Sequence, residues 1–287
     1  KFADKFADYV NTEYSIPVVN GTAAIHLALK AAGVKENDKV LVPSLTFIAS
    51  VNPILYCGAD PIFIDSEEKT YNIDPKKTVS KIEEMINKGE KPKAVIVVHL
   101  YGHPADIDPI LDICDKYNIT VIEDATEALG SKYKGKMVGS LGDIGCFSFN
   151  GNKLMTTGGG GMIVSDDKDI AEYTKYLSTQ AKDDPQNYIH KEVGYNYRLT
   201  NIQAAMGLAQ LGHIDEFIES KRKTAAKYNK AFSQIEGIIT NPDKDWAFNC
   251  DWLYTALIDK DKFDINSKEL LKKLNDEGIG ARPFWKP

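Results

Sequence analysis

Residues 94–124 read AVIVVHLYGHPADIDPILDICDKYNITVIED, and their reading decides the fold. Ala94 to His99 is an unbroken apolar run rich in β-branched residues, the pattern of a strand buried on both faces. Ile107 to Tyr117 has helical spacing, and Thr120 to Glu123 returns to the strand pattern. Strand, helix and strand within about thirty residues make a crossover unit, which predicts a mostly parallel sheet covered by helices.

The same alternation extends in both directions. Lys39 to Val42, Pro61 to Ile64, Ile144 to Phe149 and Met162 to Ser165 read as further strands. Thr22 to Ala32, Ala49 to Tyr56, Pro75 to Asn87 and Lys168 to Leu177 read as helices, the third announced by Asp74-Pro75. Phe2, Phe6, Ala7 and Val10 recur at helical spacing, and Lys134-Gly135-Lys136 reads as a hairpin turn. Asp183 to Asn187 is the most loop-like segment of this part. From Asn201 onward long helices lead through the charged stretch Lys221 to Lys230. A strand at Trp252 to Ile258 and a helix at Ser267 to Glu277 follow. The expectation is an α/β large domain over residues 1–213 and a smaller C-terminal α/β domain over residues 214–287.

The composition narrows the function. A hydrophobic content of 43% and a charged content of 26% are ordinary for a globular chain, and the net charge of −6 argues against non-specific nucleic-acid binding. Cys57, Cys114, Cys146 and Cys250 are far apart without a CxxC pair, so they read as reduced thiols rather than metal ligands or a disulfide frame. No apolar run reaches the length of a membrane span. The chain starts without methionine inside a helical pattern and ends at Pro287 with no closing element. Further residues at both ends and a cytoplasmic location are therefore expected.

Five segments carry chemistry. Lys153 follows the strand Ile144 to Phe149 within Ser148-Phe149-Asn150-Gly151-Asn152-Lys153 and precedes Thr156-Thr157 and four glycines, Gly158 to Gly161. A desolvated lysine there loses its proton readily and can attack a carbonyl to form an imine, which suits pyridoxal phosphate. Asn20-Gly21-Thr22-Ala23-Ala24 opens a helix whose first N–H groups can receive a phosphate. Asp124 ends an apolar strand at the edge where open α/β sheets place ligands, and it could keep a pyridinium nitrogen protonated. Phe47 could stack on a flat ring. Gly194-Tyr195-Asn196-Tyr197-Arg198-Leu199-Thr200 gathers polar side chains before a helix. Taken singly, each has a plain structural reading: a surface lysine, a helix cap, a strand-end cap, a core aromatic, a polar strip.

Together with their order they carry more. NGTAAIHLAL, PSLTFIAS, VHLYGHPADID, VIEDATEALGS, GDIGCFSFNGNK, TTGGGGMI and GYNYRLTNIQAA resemble, in sequence, the nucleotide-sugar aminotransferases of the DegT/StrS group. The resemblance runs from about Phe2 to Pro287. It implies the aspartate-aminotransferase-like fold, pyridoxal 5′-phosphate as cofactor, and a homodimer with shared active sites. It also implies conversion of a nucleotide-linked 4-keto-6-deoxy sugar to the 4-amino sugar, with L-glutamate as donor. In this family's pattern Lys153 bonds to the cofactor, Asp124 pairs with the ring nitrogen and Phe47 stacks on the ring. Thr22, Ala23 and Ser148 surround the phosphate, and Asn196 reaches the neighbouring subunit's cofactor. Arg198 is left between an ion pair and a carboxylate contact.

Most relatives have glutamine where Glu127 stands, near the cofactor's phenolic oxygen. A carboxylate there either holds a proton or points elsewhere. The surrounding EDATE and FNGNK look most like the branch serving legionaminic acid and bacillosamine-type glycans. Two rivals share this fold: a sugar dehydratase, which has histidine in place of the lysine, and a non-catalytic regulatory protein.

Overall fold

The computed structural model describes residues 1–184 and 186–286, so Pro185 of the loop Asp183 to Asn187, and Pro287, lie outside the described residues. Seven strands form the central sheet: β1 (Tyr14–Val18), β2 (Lys39–Pro43), β3 (Asp60–Ile64), β4 (Ala94–Val98), β5 (Thr120–Asp124), β8 (Ile144–Ser148) and β9 (Gly161–Ser165). Between β5 and β8 lies a short hairpin, β6 (Lys132–Tyr133) and β7 (Lys136–Met137). The sheet order is β1-β9-β8-β5-β4-β2-β3, and every pair from β8 to β3 is parallel. Only β9 runs against the rest, pairing antiparallel with both β8 and β1. Every residue of β4 and of β9 is buried, which is why both read as continuous apolar runs.

Helices α1 (Phe2–Val10), α2 (Gly21–Ala31), α3 (Asn52–Tyr56), α4 (Pro75–Asn87), α5 (Asp108–Tyr117) and α6 (Lys168–Ser178) connect or cover these strands. The α1 residues facing the core are Phe2, Phe6, Ala7 and Val10, as their spacing predicts. Asp74 caps α4 by accepting from the N–H groups of Lys76 and Lys77, with Pro75 at the first helical position. The hairpin turn holds Lys134 at φ 48° and Gly135 at φ 83°, left-handed geometry that fits a two-residue hairpin.

Three expectations need correction. The chain has a strand at Tyr14–Val18 that the pattern does not announce, because Pro17 interrupts it; a proline is tolerated there because β1 is at the sheet edge. The helix expected over Ala49 to Tyr56 is a 3₁₀ turn at Ile48–Ser50 followed by α3, since Pro53 fits only near the start of a helix. The strand expected over Trp252 to Ile258 shrinks to Leu257–Ile258. Tyr254 and Thr255 instead bond through their side chains to Asn229 and Asn241.

Beyond β9 come α7 (Asn201–Leu211) and α8 (Ile214–Phe232). β10 (Ile238–Ile239), β11 (Ala247–Phe248), β12 (Leu257–Ile258) and α9 (Ser267–Asp276) follow. β10 pairs with β12, while β11 pairs with β6 and so ties the C-terminal residues to the first part of the chain.

Candidate active site

At the carboxyl ends of β5 and β8 opens a cavity of about 1510 Å³, the place where parallel strands leave room for ligands. Asp124 closes its floor. Ser50 Oγ donates to Asp124 Oδ2 at 2.6 Å and the Thr126 N–H donates to Oδ1 at 3.1 Å, which fixes the carboxylate's orientation. Thr46 Oγ1 lies 2.8 Å from Ser50 Oγ and extends this chain of hydroxyls. Phe47, 49% exposed, lines the cavity instead of entering the core, and its ring packs against Trp285 at 5.5 Å.

Lys153 lies in the same cavity. Its backbone N–H donates to the Asn150 carbonyl, closing the turn after β8. Burial of its amino group lowers its pKa, against the opposing pull of Glu127, Asp124 and Cys250. Loss of the proton is what makes a lysine nucleophilic. The amino nitrogen lies 4.0 Å from the centre of the Trp252 ring.

Glu127 also lines the cavity. Burial, the largest cause, raises its pKa, and Asp124 adds to the rise. The Lys153 charge and the Tyr101 N–H, which donates to Glu127 Oε2 at 2.7 Å, act the other way. A carboxyl group held this way is disposed to keep its proton, the first of the two alternatives its sequence position leaves open. Tyr101 makes the contact from a left-handed conformation, φ 56°, inside the turn after β4. Strain of this kind in a non-glycine residue marks a position the surroundings enforce.

The phosphate end is built by close approach. Asn20 caps α2 by accepting from the Ala23 N–H at 2.7 Å, and the first residues of the helix, Gly21 and Thr22, whose amides this cap does not take up, line the cavity. A Cβ on Gly21 would meet the Ser148 Cβ at 2.9 Å, and one on Gly161 would meet the Asn20 carbonyl carbon and oxygen at 2.7 Å. Glycine at both places lets the helix start press against β8 and β9. Thr22 and Ser148 line the cavity. Ala23 does not: its methyl is buried and its N–H is taken by Asn20.

Neither Asn196 nor Arg198 lines the cavity. Both are exposed on the strip before α7, where Asn196 bridges to Thr179 and Arg198 to Val18 through the backbone. Among the described residues Arg198 makes no ion pair. The sequence reading missed Ser50, Tyr101, Trp252 and the segment Ala281 to Trp285, all of which line the cavity. Ser50 and Tyr101 lie inside motifs already quoted and could have been suspected; Trp252 and Trp285 come from distant parts of the chain and gave no local signal.

These residues fit pyridoxal phosphate: a buried amine for its aldehyde, a buried carboxylate, an exposed aromatic face, and a helix start with a serine for its phosphate. The model for the DegT/DnrJ/EryC1/StrS aminotransferase family matches residues 1–287, and the chain belongs to that family. It is a pyridoxal phosphate-dependent nucleotide-sugar aminotransferase. The chain is 44% identical over 287 residues to GDP-perosamine synthase of Escherichia coli O157:H7, covering all of this chain and 76% of that protein. It is 41% identical over 288 residues to GDP-perosamine synthase of Caulobacter vibrioides, with the same coverage. A crystal structure of a DegT DnrJ EryC1 StrS aminotransferase from Brucella abortus superposes with a TM-score of 0.91 at 28% identity. That match covers 99% of this chain and 74% of the other.

Proposed function

We propose that this aminotransferase converts a nucleotide-linked 4-keto-6-deoxy sugar to the 4-amino sugar with L-glutamate as donor. The observation that carries the reading is the buried amine of Lys153 in one cavity with Asp124 and the open start of α2. The likeness to two proteins named GDP-perosamine synthases supports a nucleotide-linked sugar as acceptor.

Pyridoxal phosphate, when bound, supplies an aldehyde to carry the amino group and a ring that withdraws electrons from the donor's α-carbon. Lys153 would anchor that aldehyde and, as a free amine, move a proton as general base and acid. Asp124, its oxygens fixed by Ser50 and Thr126, would keep the ring nitrogen protonated. Glu127 as a neutral acid would donate a hydrogen bond to the phenolic oxygen, and Phe47 would cover the ring. Thr22, Ser148 and the α2 amides would hold the phosphate. Ala23 supports the phosphate turn from behind.

We further propose a large domain over residues 1–213 and a small one over residues 214–287, as a cytoplasmic homodimer with shared sites. Asn196, exposed and outside the lining of its own cavity, is available for a role in the partner's. The four cysteines, all free, suit a reducing compartment. No helix among the described residues is long and apolar enough to cross a membrane. Lysine at position 153 speaks against the dehydratase reading, and the intact set Lys153, Asp124 and Ser148 against a non-catalytic one.

Two experiments test this. Incubating the enzyme with glutamate and a panel of nucleotide keto sugars should shift its visible absorbance band and yield one aminated product by mass; no shift with glutamate would overturn the donor. Co-expressing Lys153→Ala and Asn196→Ala chains should restore activity that neither variant has alone. A mixed dimer gathers both defects in one site and leaves the other whole. Confirmed mixed dimers without rescue would rule out shared sites.

A further inference from the structure

Trp252 contacts the catalytic lysine in two ways. The Lys153 amino nitrogen lies 4.0 Å from the centre of the indole ring, over its face. The indole Nε1–H donates at 2.8 Å to the carbonyl of Asn152, the residue before Lys153, so ring and lysine backbone are fixed to each other. Trp252 is only 3% exposed, and its surroundings leave it little freedom. Lys221 Nζ, on α8, donates to the Trp252 carbonyl at 3.2 Å, and the Cys250 N–H donates to Ser131 Oγ at 3.0 Å.

The chemistry gives this contact a purpose. A lysine that serves first as covalent anchor and then as proton carrier must be released and held nearby. On accepting a proton the amine becomes an ammonium ion in a place that water has largely left, where an unsupported cation is costly. On delivering the proton it becomes a neutral amine again. An indole face attracts the cation through the ring quadrupole, yet accepts no proton and forms no bond that must break. A carboxylate at the same distance would hold the ammonium far more tightly and blunt its acidity.

We propose that Trp252 is a further catalytic residue, whose ring face receives the released Lys153 amine and steadies its charged form while it carries the proton. The groups facing this amine are the Glu127 and Asp124 carboxyls and the Cys250 thiol, with the Lys221 ammonium at the Trp252 carbonyl. Trp252 is the aromatic member of that set. The inference rests on Lys153 as the covalent anchor.

The test reads the amine directly in cofactor-free protein. Trace acetylation across a range of pH, with mass detection of the Lys153 peptide, gives the amine's titration midpoint, and the high-pH plateau separates protonation from access. Removing the ring in Trp252→Leu withdraws support from the ammonium, so the midpoint should fall. Below the midpoint Lys153 should then label roughly three- to tenfold faster relative to its plateau. Trp252→Phe keeps a ring face without the Nε1–H donor and should retain most of the wild-type midpoint. Fluorinated tryptophan, incorporated at Trp246, Trp252 and Trp285, weakens the quadrupole without changing the fold and should move the midpoint in the same direction as leucine.

A midpoint unmoved by fluorination, or equal shifts in the Phe and Leu variants, would overturn the proposal even if the Leu variant fails to fold. Reductive labelling that misses Lys153 would instead refute the anchor role. Labelled Lys153 with a midpoint indifferent to Trp252 would refute this inference alone.

Discussion

Asp124 and Trp252 face one cavity, yet the chain holds them by opposite means. Asp124 ends β5, with β4 and β8 hydrogen-bonded on either side, so its position follows from a backbone ladder. Trp252 sits in irregular chain, pinned by its indole N–H to Asn152 and by Lys221 to its carbonyl. A ladder keeps its geometry when single side chains change, whereas a wall pinned by side chains can be altered one bond at a time. The strand-end side therefore suits the reaction's fixed requirements, and the irregular side, Trp252 at the lysine apart, suits adjustment to a particular substrate.

The largest expected effect lies on the ladder side. Lys153→Ala should lower turnover by at least about 10³-fold, since it removes both anchor and proton carrier. Its thermal midpoint should stay close to wild type, because the lysine is not part of the core. Turnover retained in the purified variant would place the reaction elsewhere.

Gly21→Ala should come next. Its Cβ would lie 2.9 Å from the Ser148 Cβ, forcing α2 away from β8 at a cost of about 1–3 kcal/mol. Pyridoxal phosphate affinity, read by absorbance titration, should weaken roughly 10- to 100-fold in consequence. Unchanged affinity would mean that the helix start does not hold the phosphate.

On the opposite wall the effects should be smaller and of another kind. Trp285 packs on Phe47 at 5.5 Å and on Tyr101 at 4.6 Å, and its backbone N–H donates to the Tyr101 hydroxyl. Trp285→Ala should raise KM for the nucleotide sugar several-fold, on the order of 1 kcal/mol of lost binding, with kcat little changed. A loss confined to kcat would erase the contrast between the two walls.

Glu127→Gln should change activity least. Glutamine can still accept from the Tyr101 N–H and donate to a phenolic oxygen. The effect should show in stability against pH. Burial raises the Glu127 pKa in the folded state, so the folded chain holds this proton over a pH window in which the unfolded chain has lost it. Wild-type stability attributable to this group is then full below the unfolded carboxyl value and falls as pH rises toward the folded one. In cofactor-free protein, the glutamine variant should match wild type in acid and gain in relative thermal midpoint as pH rises through neutrality. A constant gap would mean that folding leaves the Glu127 pKa where it stands in the unfolded chain.

How much the sequence disclosed follows the same division. The inner strands carry short apolar, mostly β-branched runs, so β2 to β5, β8 and β9 could be placed within a residue or two. Asp124 and Ser148 end two of those strands and Lys153 follows one, and all three line one cavity. β1 stayed hidden because Pro17 breaks the pattern and only its edge position allows it. The far wall was illegible for a different reason. Trp252 reaches Lys153 across about a hundred residues through one aromatic face and one side-chain bond, contacts without periodicity. Tyr101 lies in a quoted motif, yet its contact with Glu127 could not be read there, because it is made by a backbone N–H that any residue but proline supplies.

The most direct test of the account is reductive trapping. Borohydride added to the cofactor-loaded enzyme, followed by digestion and mass mapping, should place one pyridoxyl phosphate group on the peptide containing Lys153, and prior addition of glutamate should suppress it. A label on any other lysine, or a label on Lys153 unaffected by glutamate, would contradict the central claim.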